Sequence, residues 1–178
     1  MNLQNSSLDY LIPQTVVEMA TLDQFVLDLE LAGYAAGGRY PQVRVHVNDE
    51  VVWQGTVEKT AKIQCTKTVD SAVTLKIEYC NKSDQDTKVD STGQITENQH
   101  VVITSLSLNN IDVITTQSVY QLGHYYMNLT PEKELYFREH GFDVGPTHSL
   151  QMFENGEWRL NIPVPVVSAL ASLQSLYE

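Results

Sequence analysis

Basic residues are scarce in this chain: 11 Lys and Arg stand against 22 Asp and Glu, a formal net charge of −11 over 178 residues. A polyanionic partner such as nucleic acid is thereby excluded, because neutralising phosphates takes clustered Lys and Arg, and none cluster here. Long apolar runs are missing too, since no stretch approaches the roughly 18 residues of a membrane span. The opening segment, MNLQNSSLDYLIPQ, has no basic residue ahead of its first apolar run, so no secretory signal is expected. The Asn-X-Ser/Thr triplets at Asn5, Asn81 and Asn128 then lack a glycosylation context. Cysteine is limited to Cys65 and Cys80, too few for a disulfide framework and not in metal spacing. Two readings stay open for them, reduced thiols or one bridge between neighbouring strands. A Gly-rich phosphate loop, a nucleophile elbow and a zinc-binding His-Glu pair are all absent, which speaks against an enzyme.

What the chain has is alternation. Val73, Leu75, Ile77 and Tyr79 point one way and Thr74, Lys76, Glu78 and Cys80 the other, the two-residue period of a half-buried antiparallel strand. Phe25, Leu27, Leu29 and Leu31 alternate likewise, as do Val43, Val45 and Val47 against Gln42, Arg44 and His46. Further strands are predicted over 14–20, 51–57, 61–65, 100–108 and 111–114, with turns at Asn48-Asp49-Glu50 and Asn109-Asn110. The pattern stops over 115–149, where Thr130, Pro131 and Gly141 mark the cap, first turn and end of a short helix. Leu150–Glu154 and Glu157–Ile162 flank Asn155-Gly156 as a closing hairpin, with Trp158 expected in the core. Pro163 and Pro165 stop that strand, and 166–177 reads as a short helix carrying Leu170, Leu173 and Leu176. Seven or eight short strands at regular spacing make this an all-β protein, a jelly-roll-like antiparallel β-sandwich in one domain. Its core is placed at about 14–114 plus the hairpin 150–162. The insertion 115–149 is helical in part, and an arm 1–13 and a tail 163–178 serve as docking elements.

The run from Lys82 to Gln99 is too polar to bury and collects Asp84, Asp86 and Asp90. With Asn81 these are the candidate calcium ligands, since calcium takes six to eight hard oxygens. The spacing is not that of an EF-hand, because Lys88 stands where a further ligand would be. Thr87-Lys88-Val89 and Gly93-Gln94-Ile95 point to a small β excursion that spreads the carboxylates along its rim, with no bound metal. For a sugar, an aromatic face is needed as well. Trp53, flanked by Val51 and Val52, reads as core before platform, whereas Tyr40, Tyr125 and Tyr126 lie in irregular segments and offer exposed rings. The five histidines (His46, His100, His124, His140, His148) fall on separate elements. His46 reads as a surface residue, and His140 and His148 flank one irregular segment that could bring them together.

Gly37-Gly38-Arg39-Tyr40-Pro41, the strand QVRVHVND, LKIEYCNKSDQD and HVVITSLSLNNIDV are similar to the frame of calcium-dependent xylan-binding carbohydrate-binding modules. The likeness spans Leu22 to Val113 and carries Asp49-Glu50 where those modules have Asp-Gly. It implies a jelly-roll sandwich and brings calcium and host surface glycans into view. A second set of residues covers nearly the whole chain. Lys82, Asp84, Asp86, Thr87, Val89, Asp90, Gly93 and Ile95, followed by Asn155, Gly156, Trp158, Leu160 and Pro165, match two motifs in order. In these the chain resembles a group of proteins from contractile-tailed marine bacteriophages such as cyanophages. The group carries no established chemistry. This chain also has Val166-Val167-Ser168-Ala169 where its members end in an aromatic stretch. The resemblance implies a non-enzymatic structural subunit of a phage virion, made in the bacterial host cytoplasm. Such a subunit sits in many copies against other virion proteins at the head, neck, baseplate or fibre base. The alternative is a carbohydrate-binding module, possible with calcium, that recognises host glycans through Tyr40, Trp53, Tyr125 or Tyr126.

Overall fold

The computed structural model describes residues 22–115 and 122–174. The expected first strand over 14–20 and the arm 1–13 lie outside the described residues. Two five-stranded antiparallel sheets face each other. The first holds β1 (Asp23–Tyr34), β4 (Thr60–Val69), β8 (His100–Leu108), β9 (Ile111–Asp112) and β11 (Gln151–Met152), in the order β11-β8-β1-β4 with β9 also on β8. The second holds β2 (Gln42–Val47), β3 (Glu50–Thr56), β5 (Val73–Tyr79), β10 (Gly123–Met127) and β12 (Gly156–Ile162), in the order β10-β12-β5-β2-β3. The chain is a β-sandwich.

The alternation read from the sequence becomes the core. Phe25, Leu27, Leu29 and Leu31 of β1 are buried against Val43, Val45 and Val47 of β2 and Leu75, Ile77 and Tyr79 of β5. On β8 the apolar phase slips, with Val101 and Ile103 followed by Leu106 and Leu108. A bulge opposite Glu30 and Leu31 absorbs the extra residue, so Leu29 still faces Leu106 and Leu31 still faces Ile103. Asn48, Asn109 and Asn110 take positive φ at the two tight turns, as Asn in a turn does with little strain. At Gly33 a Cβ would lie 1.9 Å from the Val57 carbonyl oxygen, so only glycine lets the end of β1 pass the chain beneath it.

The expected closing hairpin is not one. β11 pairs with β8 in the first sheet, while β12 pairs with β5 and β10 in the second, so residues 153–155 cross between sheets. The Asn-Gly pair serves another purpose. Asn155 accepts from the Lys82 backbone N–H through Oδ1 and donates to the Lys82 carbonyl through Nδ2, both at 2.8 Å. Its side chain thus extends the ladder where the main chain turns away. A Cβ on Gly156 would lie 2.2 Å from the Tyr126 carbonyl oxygen, so glycine here permits the close approach of β10. Met152 and Trp158 enter the same core from opposite sheets, both fully buried.

Two segments placed outside the sandwich contribute to it. Within 115–149, β10 forms an edge of the second sheet. The helix α1 (Pro131–Glu139) follows with the expected Thr130 cap, its Oγ1 accepting from Lys133 N, and Gly141 beyond it at φ +76°. In the tail, α2 (Val166–Gln174) packs Val166 and Leu170 into the core, and the Val166 N–H donates to Asp23 Oδ2.

Candidate functional site

The alternation that fills the core leaves a second set of side chains on the outer face of the second sheet. Register sorts them into two rows across four strands. Arg44, Glu78, Glu157 and Tyr126 form one, and His46, Lys76, Arg159 and His124 the other. Glu78 and Glu157 stand directly opposite, an arrangement of like charges that costs stability unless compensated. Compensation comes from both rows. Arg44 and His46 each reach Glu78 at 3.3 Å, and Lys76 and Arg159 pair with Glu157. His46 faces outward as expected, yet packing against Glu78 leaves it only 9% exposed. The Arg159 guanidinium lies 5.5 Å from the centre of the Tyr126 ring.

At one end of these rows lies a groove of about 470 Å³, lined by Glu78, Glu157, Tyr126, Asn128, Asn155 and Cys80 among others. Tyr126 is among the lining residues and 39% exposed, with the Arg159 guanidinium beside its ring. The other rings named from the sequence are placed differently. Tyr125 points inward, with its hydroxyl accepting from the Glu154 N–H and donating to the Glu154 carbonyl. Burial pushes its phenol above the ordinary range. Trp53 sits on the edge strand β3 opposite Val45, partly buried against the core. Tyr40 is half-buried, and its carbonyl accepts from Asn81 Nδ2.

The acidic loop does form the excursion read from its sequence: a 3-10 turn at Asp84–Asp86, then a small hairpin of β6 (Thr87–Val89) and β7 (Ile95–Asn98). One oxygen of each candidate ligand is engaged by its own donors. Asn81 Oδ1 accepts from Gln42 N at 2.7 Å. Asp86 is buried; its Oδ2 accepts from the Ser83 N–H and hydroxyl, with the Arg39 guanidinium 3.2 Å away. Asp90 Oδ1 accepts from the Thr92 hydroxyl and the Thr92 and Gln94 N–H groups. The hydroxyl first and the backbone donors next hold its carboxyl below the usual range. Asp84 is exposed and pairs with Lys133, which also binds Glu154. Calcium would need these four residues to turn free oxygens toward one point and Arg39 to withdraw. As placed, they do not fit the ion. Among the described residues, no group of three or more His, Cys, Asp or Glu side chains converges on one point.

Lys82 anchors the loop beneath. It is 7% exposed, and its ammonium donates to the Gln99 carbonyl and to Asn98 Oδ1. Burial lowers its proton affinity. The remaining histidines bond to backbone carbonyls: His100 to Asn98, His124 to Leu122, His140 to Tyr136 and His148 to Gly123. His148 packs against His124 rather than His140. Cys65 lies on the first sheet and Cys80 just past β5 on the second; both are free, and burial raises both thiols.

No protein-family model matches the chain, and no curated protein matches it. Among solved structures it is similar to a vCBM60 module in complex with galactobiose, at a TM-score of 0.44 and 14% identity, over 77% of this chain and 99% of that one. It is also similar to the selenomethionine form of vCBM60, described with circular permutation linking two families of calcium-dependent carbohydrate-binding modules. That match has a TM-score of 0.45 and 12% identity, over 76% of this chain and 89% of that one. The sandwich assignment itself rests on the strand pairing above.

Proposed function

We propose that this protein is a non-catalytic carbohydrate-binding module whose ligand lies in the groove at the end of the second sheet. The observation that carries this is a single groove lined by the exposed Tyr126 and by two register-paired carboxylates, Glu78 and Glu157. A sugar presents an apolar C–H face to a ring and hydroxyl donors around its edge, so the groove offers what each part needs. Arg44, His46, Lys76 and Arg159 hold the carboxylates in place, which limits the entropy lost when a ligand orders them. Binding here needs no metal. The test is affinity electrophoresis against a panel of neutral polysaccharides. Retarded migration should be lost in Tyr126→Ala and in Glu157→Gln while both variants melt like the wild type. No retardation by any polysaccharide, or retardation that survives both substitutions, would overturn the reading.

A second reading is supported by α1. None of its residues is buried, and Leu135 and Tyr136 of α1 and Phe142 beyond it are exposed at 58%, 53% and 59%. Apolar side chains presented this way suit docking onto another protein. Together with the resemblance to tailed-phage proteins, they fit a subunit held in many copies on a virion. Mass spectrometry of purified particles tests it. Absence of the protein from intact particles would remove this reading and leave the groove reading untouched.

A further inference from the structure

The Tyr125–Thr147 bridge has a chemical consequence beside it. Tyr125 N donates to Thr147 O at 2.7 Å and Thr147 N to Tyr125 O at 3.0 Å, so these residues form a hydrogen-bonded antiparallel pair. In such a pairing the next residues along, His124 and His148, are directly opposite at a non-hydrogen-bonded position, where side chains approach most closely. Their ring centroids lie 4.4 Å apart with the planes tilted by 49°. Both Nδ1 atoms face backbone carbonyls of consecutive residues, Leu122 at 3.4 Å and Gly123 at 3.2 Å. A carbonyl only accepts, so in the neutral rings the proton sits on Nδ1 of each. The lone pair is then on Nε2 of each, on the side away from the 122–123 segment.

From this juxtaposition we infer that His124 and His148 form a two-histidine site for a borderline divalent transition metal, zinc or copper in class, with water completing the coordination. Imidazole suits these ions rather than calcium or magnesium. A ligating histidine that gives its other N–H to a backbone carbonyl is the usual supporting arrangement, because it fixes tautomer and ring orientation. The surroundings are compatible with a cation. Arg159 stands opposite His124 in the sheet, but its charge is taken up by Glu157. Among the described residues, Tyr126 brings a further ring, 6.3 Å from His124 between ring centres. The site stands apart from the acidic loop and does not depend on the glycan reading.

The test uses the full chain. Zinc is titrated by calorimetry, alongside long-range proton–nitrogen NMR of the histidine rings in the wild type. One saturable equivalent is expected, with the Nε2 signals of His124 and His148 moving while their Nδ1 signals remain those of a protonated nitrogen. His124→Ala and His148→Ala should each weaken binding by at least the cost of losing a supporting partner, about 10–100-fold. His140→Ala should bind as the wild type does. If the wild-type spectrum shows no change at these two rings, or if shifts appear equally at all five histidines, the site does not exist. The spectrum decides this even where an alanine variant folds poorly.

Discussion

Trp158 shows how much can hang on one side chain. It is fully buried on β12 between the two sheets, and its Nε1 finds no acceptor. Its contribution is therefore volume and apolar area, reduced by one unpartnered N–H. Trp158→Ala should cost about 3–5 kcal/mol in urea unfolding, the range for truncating a buried aromatic. Trp158→Phe should cost clearly less, since it keeps most of the volume and removes the orphaned donor. His100 makes a different point. It stacks on Tyr34 with ring centroids 4.2 Å apart and lies 5.0 Å from Phe153. Burial, and after it the charge of Lys82, lowers its proton affinity below the ordinary 6.5, against an opposing pull from the Asn98 carbonyl. The unfolded chain therefore binds a proton more readily than the folded one. The stability this site contributes is fully present above 6.5 and is lost as pH falls through that value toward the folded one. Melting temperatures taken from about pH 7.5 down to about pH 5 should fall less steeply in His100→Gln than in the wild type. Parallel slopes would show that His100 contributes nothing to the pH dependence.

Among the elements, the acidic loop is the one whose composition and geometry say different things. Its carboxylates look like a cation site in sequence, yet each is committed to its own donors: Asp86 to Ser83 and Arg39, Asp90 to Thr92 and Gln94, Asp84 to Lys133. The loop is a solid projection fastened by Lys82 and Gln99, with Gln99 also donating to the Arg39 carbonyl and accepting from the Tyr79 hydroxyl. Thermal melting with calcium and then with a chelator should give the same midpoint. A rise of several degrees that disappears in the Asp84→Asn/Asp86→Asn double variant would show that the loop rearranges to take the ion.

For the whole molecule, the second sheet determines what is presented outward, and the tail helps determine whether the sandwich closes. α2 covers one end of the core with Val166 and Leu170, at 0% and 2% exposure. Leu170→Ala should cost about 2–5 kcal/mol, as for other buried leucines. Chemical denaturation of the variant measures it, and wild-type stability would mean that the tail is an appendage after all.

The sequence by itself determined every element whose signal is local. Strict alternation placed β1, β2 and β5 and the faces they bury. Asn at the two turns, and the Thr130-Pro131 start with Gly141 beyond the end, marked turns and α1 because capping and left-handed geometry need only neighbouring residues. Even the small hairpin in the acidic loop was legible from its Thr-Lys-Val and Gly-Gln-Ile segments. Tertiary structure decided the rest. Asn155-Gly156 has the sequence of a hairpin turn, but which sheet each flanking strand joins depends on strands formed some 50 to 90 residues earlier. β10 escaped notice because an edge strand beside an irregular segment carries little alternation of its own. The facing of Glu78 on Glu157 is a matter of register between strands distant in the chain, and that of His124 on His148 depends on an isolated bridge between β10 and the segment after α1. Alternation says which face of each strand is buried, but which residue meets which is settled when two such faces from distant parts of the chain lock together.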